Sequence, residues 1–238
     1  MWKKFNQCLV LIAALAMSSV VLADGVTIDK VYDPYVYLLE KEVEVRTLYQ
    51  NDSDGDVNGG LRYSLAYGQS LTDQFFAEIY LIVEDKHGKS LEIEGYEAEF
   101  KWQLTEQGEF DNDWGLLFEF EKNRELDIWE ASTTLIALHE WPDWILTANL
   151  AVTYEWGNDI HDEWEADFSS QLRYRYKEIL EPAIEFYQAE ETQGIGPVLT
   201  GLYRMGKGRG IKWEFGVIFG TDSKTADTNL KLNLEYEF

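Results

Sequence analysis

The 238-residue chain carries 44 Asp and Glu against 20 Lys and Arg, a formal net charge of −24, and contains one cysteine and nine tryptophans. The acid excess counts against nucleic acid or an anionic membrane surface as a partner. With aromatic residues at 15%, the chain is too rich in large apolar groups to stay disordered.

Residues 1–23 read as a cleaved signal peptide. Lys3 and Lys4 form a short basic region, Cys8 to Leu22 is nearly all apolar, and Val21-Leu22-Ala23 ends the stretch as a cleavage site does. Cleavage after Ala23 would leave Asp24 first and remove Cys8, which excludes disulfides, thiolate catalysis and Cys-based metal sites. Cys8 lies at the front of the apolar stretch, not at the cleavage point, so no lipoprotein anchor is expected. Nothing after Leu22 approaches the roughly 20 consecutive apolar residues that a transmembrane helix needs. A membrane strand needs only alternate apolar residues, which average to a mildly polar hydropathy.

Residues 24–39 carry no strand pattern and are expected to lie in the periplasm or in the lumen of whatever follows. From Glu40 onward the period is two, in twelve runs. Val43, Val45 and Tyr49 oppose Glu42, Glu44 and Arg46. Leu61, Tyr63, Leu65 and Tyr67 oppose Arg62, Ser64 and Ala66. Phe75, Ala77, Ile79, Leu81 and Val83 oppose Glu78 and Tyr80. Tyr96, Ala98, Phe100, Trp102 and Leu104 oppose Glu97, Glu99, Lys101 and Gln103. Trp114, Leu116, Phe118 and Phe120 oppose Gly115, Glu119 and Glu121. A weaker run from Trp129 to Ala137 follows.

Leu146 to Trp156 and Trp164 to Tyr176 are the seventh and eighth runs, the latter with Glu165, Asp167, Gln171, Arg173 and Arg175 on its polar face. Leu180, Pro182, Ile184 and Phe186 oppose Glu181 and Glu185, and Ile195 to Met205 oppose Thr200 and Arg204. Trp213, Phe215, Val217 and Phe219 oppose Lys212, Glu214, Gly216 and Gly220. Leu230 to Phe238 closes the series, opposite Lys231, Asn233, Glu235 and Glu237.

The connections are short, which favours antiparallel neighbours, and an even strand count puts both termini on one side. The expected fold is therefore all-β: a closed antiparallel transmembrane β-barrel of about 12 strands with short loops, spanning residues 40–238. A soluble β-sandwich alternates in the same way. The eight tryptophans after the leader discriminate, since all sit at or near strand ends, as membrane–water interfaces favour.

The chain ends LKLNLEYEF, residues 230–238. This resembles the C-terminal strand of bacterial outer-membrane barrel proteins, with Tyr236 two before a terminal Phe238. The resemblance implies residence in the cell outer membrane among lipid and lipopolysaccharide, and recognition of Phe238 by the barrel-assembly machinery. The Asp33-Pro34-Tyr35-Val36 lead-in and the stretch from Pro182 to Phe238 look like exported barrels of the porin or transporter type. Small twelve-stranded channels for acidic sugars are similar in architecture, but no shared signature carries their ligand over.

Charges are costly against lipid and readily hydrated in a watery lumen. The expected pore-lining set is Glu44, Arg46, Arg62, Glu97, Glu99, Lys101, Glu119, Arg173, Arg175, Glu181, Glu185, Arg204, Lys212, Glu214, Lys231 and Glu235. These charges either line a narrow wet channel or pair across the lumen and plug it, with Arg175 and Glu181 as one such pair. Gly68, Gly115, Gly216 and Gly220 on the inner face leave room and favour a channel, and the acid excess favours cations or polar neutral solutes.

The functional expectation is a porin-like barrel passing small polar solutes or cations. A non-conducting structural or surface-interaction barrel with a salt-bridged interior is the alternative. No cofactor, metal or catalytic residue is expected. His87, His139 and His161 fall in expected loops, with no nucleophile motif beside them. Asp52-Ser53-Asp54-Gly55-Asp56 departs from a calcium loop, with Val57 where Gly is needed and Tyr63 where Glu is needed. Gly206-Lys207-Gly208-Arg209-Gly210 lacks phosphate-loop spacing and reads as a periplasmic turn.

Overall fold

A computed structural model describes residues 28–52, 59–85, 91–124, 126–158 and 160–238. The expected signal peptide, most of the Asp52–Asp56 loop and His87 lie outside the described residues.

Twelve strands form: β1 Lys41–Asn51, β2 Gly60–Ser70, β3 Phe75–Asp85, β4 Glu92–Gln103, β5 Asp113–Asn123, β6 Ile128–Glu140, β7 Trp144–Gly157, β8 Glu163–Tyr174, β9 Glu181–Gln188, β10 Gln193–Gly206, β11 Arg209–Gly220 and β12 Thr228–Glu237. Each pairs antiparallel with its sequence neighbours, and β1 pairs with β12 to close the barrel. Closure leaves no strand edge unpaired, which is what a β-structure in lipid requires. The terminal strand is held in register by pairs such as Val45 with Leu234 and Val43 with Tyr236.

The phase of every strand decides between a membrane barrel and a soluble sandwich. Ile79 is 64% exposed, Ile184 55% and Leu150 50%, all pointing outward, while Glu44, Glu185 and Lys231 point inward at 1%, 0% and 2%. A water-soluble protein buries the first group and exposes the second. The reverse arrangement matches an apolar solvent outside and a polar lumen within.

Tryptophans mark both ends of the apolar band. Trp102, Trp114, Trp141, Trp144 and Trp213 lie toward the rim carrying Lys41 and Phe238, and Trp129, Trp156 and Trp164 toward the opposite rim. Neighbouring rings support one another there: Phe75 stacks on Trp102 at 5.4 Å, and Trp129 on Trp156 at 6.5 Å.

The β10–β11 turn is as tight as its glycines allow. Gly206, Lys207 and Gly208 all have positive φ (78°, 58° and 73°), a conformation that glycine adopts without strain. The run from Trp129 to Ala137, weak in pattern, extends into a 13-residue strand paired on both sides.

Two strand ends fall short of the periodicity. Tyr176 and Leu180 continue the alternation, yet β8 stops at Tyr174 and β9 starts at Glu181. Between them Lys177 and Leu180 exchange backbone hydrogen bonds across a tight turn, which takes those residues out of the ladder.

Candidate functional site

The lumen is threaded by the chain's own N-terminal segment. Residues 28–40 descend from the half of the barrel far from the termini to the rim where β1 begins. At almost every step an inward-facing side chain holds them.

Ile28 packs in an apolar cluster with Leu48, Ala183, Tyr187, Val198 and Ile218. The Asp29 carboxylate accepts from Arg46 Nη1 at 2.7 Å, and its carbonyl accepts from Lys231 Nζ at 2.6 Å and the Tyr187 hydroxyl at 2.8 Å. Lys30 Nζ lies 3.0 Å from Glu44 Oε2 and 3.5 Å from Glu235 Oε2.

Tyr32 is the most fully held residue. Its N–H donates to Asn149 Oδ1 at 2.8 Å, and its carbonyl accepts from Asn149 Nδ2 at 2.9 Å. One amide side chain thus pairs both backbone groups, as a neighbouring strand would. The Tyr32 hydroxyl donates to Glu99 Oε1 at 2.6 Å and accepts from Arg46 Nη1 at 2.9 Å.

Pro34 then crosses Gly115, where a β-carbon would stand 3.0 Å from Pro34 Cα. Tyr35 packs against Leu138 and Ile145, and its hydroxyl donates to Asp113 at 2.7 Å. Val36 N–H donates to Gln103 Oε1 at 2.7 Å. These contacts satisfy backbone groups that would otherwise be buried without partners.

Fourteen of the sixteen expected pore-lining residues sit on strands with their side chains on the lumenal face: Glu44, Arg46, Arg62, Glu97, Glu99, Lys101, Glu119, Arg173, Glu181, Glu185, Lys212, Glu214, Lys231 and Glu235. Most are paired there. Lys231 Nζ lies 2.7 Å from Glu185 and 2.9 Å from Glu214, Lys212 lies 2.9 Å from Glu235, and Arg62 reaches Glu94 and Glu121. Arg175 lies past the end of β8, where it binds Glu140 and the Trp141 carbonyl. Arg204 is exposed at the rim, paired with Glu178 in the β8–β9 turn at 2.6 Å.

The expected pair of Arg175 with Glu181 is not made. Arg173, two residues earlier and pointing inward, takes Glu181 at 3.3 Å. The room expected at the inner-face glycines is also filled. Pro34 covers Gly115, the Phe76 ring covers Gly68, and the Lys231 stem with Val198 covers Gly216. The residues that periodicity left aside are Asp29, Lys30, Tyr32 and Tyr35. The alternation of Ile28, Lys30 and Tyr32 facing lumenal partners is only three positions long, too short to stand out.

Among the described residues, two cavities lie beside the segment. One, of about 220 Å³, lies in the far half. Its β4–β8 wall presents Glu97, Glu119, Glu121, Glu130, Glu165 and Asp167, with Ser132, Thr134, Thr153 and Ser169 between them. The cations that also line it, Lys30, Arg46, Arg62 and Lys231, are all engaged in ion pairs. The other, of about 120 Å³, lies toward the termini and is lined by Glu40, Glu42, Glu78, Lys101, Arg173 and Lys212 among others. Lys30, Tyr32 and Asn233 border both.

His139 Nδ1 lies 2.9 Å from Asn112 Oδ1 and its ring packs edge-on to Trp141, while His161 is exposed in the β7–β8 connection. Three carboxylate trios bring one oxygen from each member within 4.8 Å of the others: Glu40 with Glu235 and Glu237, Glu42 with Glu44 and Glu78, and Glu97 with Glu99 and Glu119. Such all-oxygen sets suit hard cations.

No family model matches the chain, and no curated protein matches it significantly. Solved structures do match. The KdgM porin in complex with disordered oligogalacturonate aligns with a TM-score of 0.57 at 12% identity, over 83% of this chain and 99% of that one. The NanC porin aligns at 0.52 and 10% identity, over 82% and 98%. A COG4313 outer membrane channel from Pseudomonas putida F1 aligns at 0.52 and 13% identity, over 91% and 99%. The chain therefore has the barrel fold of bacterial outer-membrane porins and channels.

Proposed function

We propose that the protein is an outer-membrane channel for small polar solutes, with a preference for cations, whose bore is narrowed by its own residues 28–40. The observation that carries this reading is the pair of polar cavities beside the segment, which share Lys30, Tyr32 and Asn233 as lining residues. The acidic wall of the larger cavity, where carboxylates outnumber the cations that pair with them, gives the preference, because carboxylates lining a low-dielectric bore attract cations and repel anions. Displacement of the segment would join the two cavities into one wide lumen. The porin likeness supports the same class of function.

In this reading residues 1–23 are removed on export, residues 28–39 of the N-terminal segment occupy the lumen, and Phe238 is the mark read by the assembly machinery. We assign no enzymatic role.

The test is the reversal potential of the refolded protein in a planar bilayer under a KCl gradient. Discrete current steps with a cation-selective reversal potential are expected. An anion-selective potential would refute the reading. A silent but inserted barrel would favour the alternative of a structural barrel, for which the dense ion pairing around Lys231 and Arg46 speaks.

A further inference from the structure

The trio Glu42, Glu44 and Glu78 lies in the half of the lumen near the termini, on strands β1 and β3 with Gly68 of β2 between Glu42 and Glu78, and lines the smaller cavity. All three are buried: Glu42 is 5% exposed, Glu44 1% and Glu78 4%. Glu44 is paired, to Lys30 and to Arg46. Among the described residues neither Glu42 nor Glu78 has an ion-pair partner. Glu78 Oε2 accepts from the Tyr80 hydroxyl at 2.7 Å, but its Oε1 is buried without any hydrogen-bond partner. A buried carboxylate oxygen left in that state is costly unless a cation or a donor meets it.

The missing partner has a definite chemistry. One oxygen from each carboxylate lies within 4.8 Å of the other two, the spread expected around one ion coordinated at roughly 2.3–2.6 Å. The ligands are oxygens only, with no His or Cys, and a spread of up to 4.8 Å leaves room for bonds longer than the roughly 2.0–2.1 Å of Mg²⁺. Both features favour Ca²⁺ over Mg²⁺ or a transition metal.

We propose that Glu42, Glu44 and Glu78 form a Ca²⁺ site inside the barrel. Its occupation competes with Lys30 and Arg46 for the Glu44 oxygens, so the ion loosens the Lys30 anchor of residues 28–40. The site does not require the barrel to conduct, and its failure would leave the channel reading untouched.

The test is calorimetric titration of CaCl₂ into the refolded, chelator-treated full chain in detergent. Wild type should bind saturably, and Glu78→Gln should bind weaker by at least about tenfold, the cost of losing even a group that merely supports a metal ligand. Glu97→Gln, in the trio of Glu97, Glu99 and Glu119, should bind as wild type does, and Lys30→Ala should bind more tightly. Circular dichroism confirms that each variant is folded, with Glu42→Gln taking the place of Glu78→Gln if the latter does not fold. The absence of saturable binding in wild type, or undiminished affinity in the folded glutamine variant, overturns the proposal.

Discussion

Asn149→Leu tests how the N-terminal segment is seated. Leu has a similar volume, so the substitution leaves the width of the lumen almost unchanged and alters only the polar matching. In the wild type the Asn149 amide holds both backbone groups of Tyr32, at 2.8 and 2.9 Å, and is itself 3% exposed. Each such hydrogen bond is worth about 0.5–1.5 kcal/mol net. Losing two therefore weakens the seated state by roughly 1–3 kcal/mol, a factor of about 5–150 in the ratio of detached to seated segment. That is a lower bound, because the seated Tyr32 N–H and carbonyl then stay buried without partners, while the detached segment is hydrated. The outward face of β7 is untouched, so insertion should be normal. Single-channel recordings should show more frequent or longer excursions to a wider conductance level. Open-time statistics indistinguishable from wild type would refute the idea that Asn149 seats the segment.

Three further outcomes follow from the phase and the pairing. Phe118→Arg, near the middle of β5 on the lipid face, should cost about 2–4 kcal/mol and depress membrane insertion, while Glu119→Gln, one residue on and facing the lumen, should insert normally; equal yields on refolding into liposomes would contradict the assignment of faces. Lys231→Met leaves Glu185, which is 0% exposed, without its counter-ion at 2.7 Å, and should lower unfolding stability in a urea titration by about 3–5 kcal/mol. Deleting Phe238 removes the N–H that donates to the Lys41 carbonyl at 2.8 Å where the barrel closes, and should slow assembly measured by protease resistance over time.

The strands were legible because lipid imposes a strict rule on them. An outward position at bilayer depth must be apolar, and period two follows from the pleat. Leu146 to Trp156 could hardly be read otherwise. The ends of β8 and β9 were less legible, since Tyr176 and Leu180 keep the alternation while a turn removes them from the ladder.

The lumen was legible as a list of charges but not as a set of pairs. Which cation meets which carboxylate depends on barrel geometry across the bore, and so Arg173, not Arg175, reaches Glu181. The N-terminal segment was the least legible part. Its partners are side chains scattered over nine strands, among them Asn149, Gln103 and Asp113, and no local pattern of residues 28–40 encodes a match of that kind. Gly115 looked like open space from sequence because the residue that fills it, Pro34, stands eighty-one positions earlier.

The central claim, that residues 28–40 lie in the bore and narrow it, is tested most directly by a reversible cross-link. A β-carbon at position 115 would stand 3.0 Å from Pro34 Cβ, a little under the roughly 3.5–4.5 Å of a disulfide. The one native cysteine, Cys8, lies in the expected leader. The doubly substituted protein, Pro34→Cys with Gly115→Cys, should cross-link on mild oxidation and show only the narrow conductance level. A reductant added to the same bilayer should then restore excursions to the wider one. Failure of the pair to cross-link in the folded barrel, or currents unchanged by the reductant, would contradict the account.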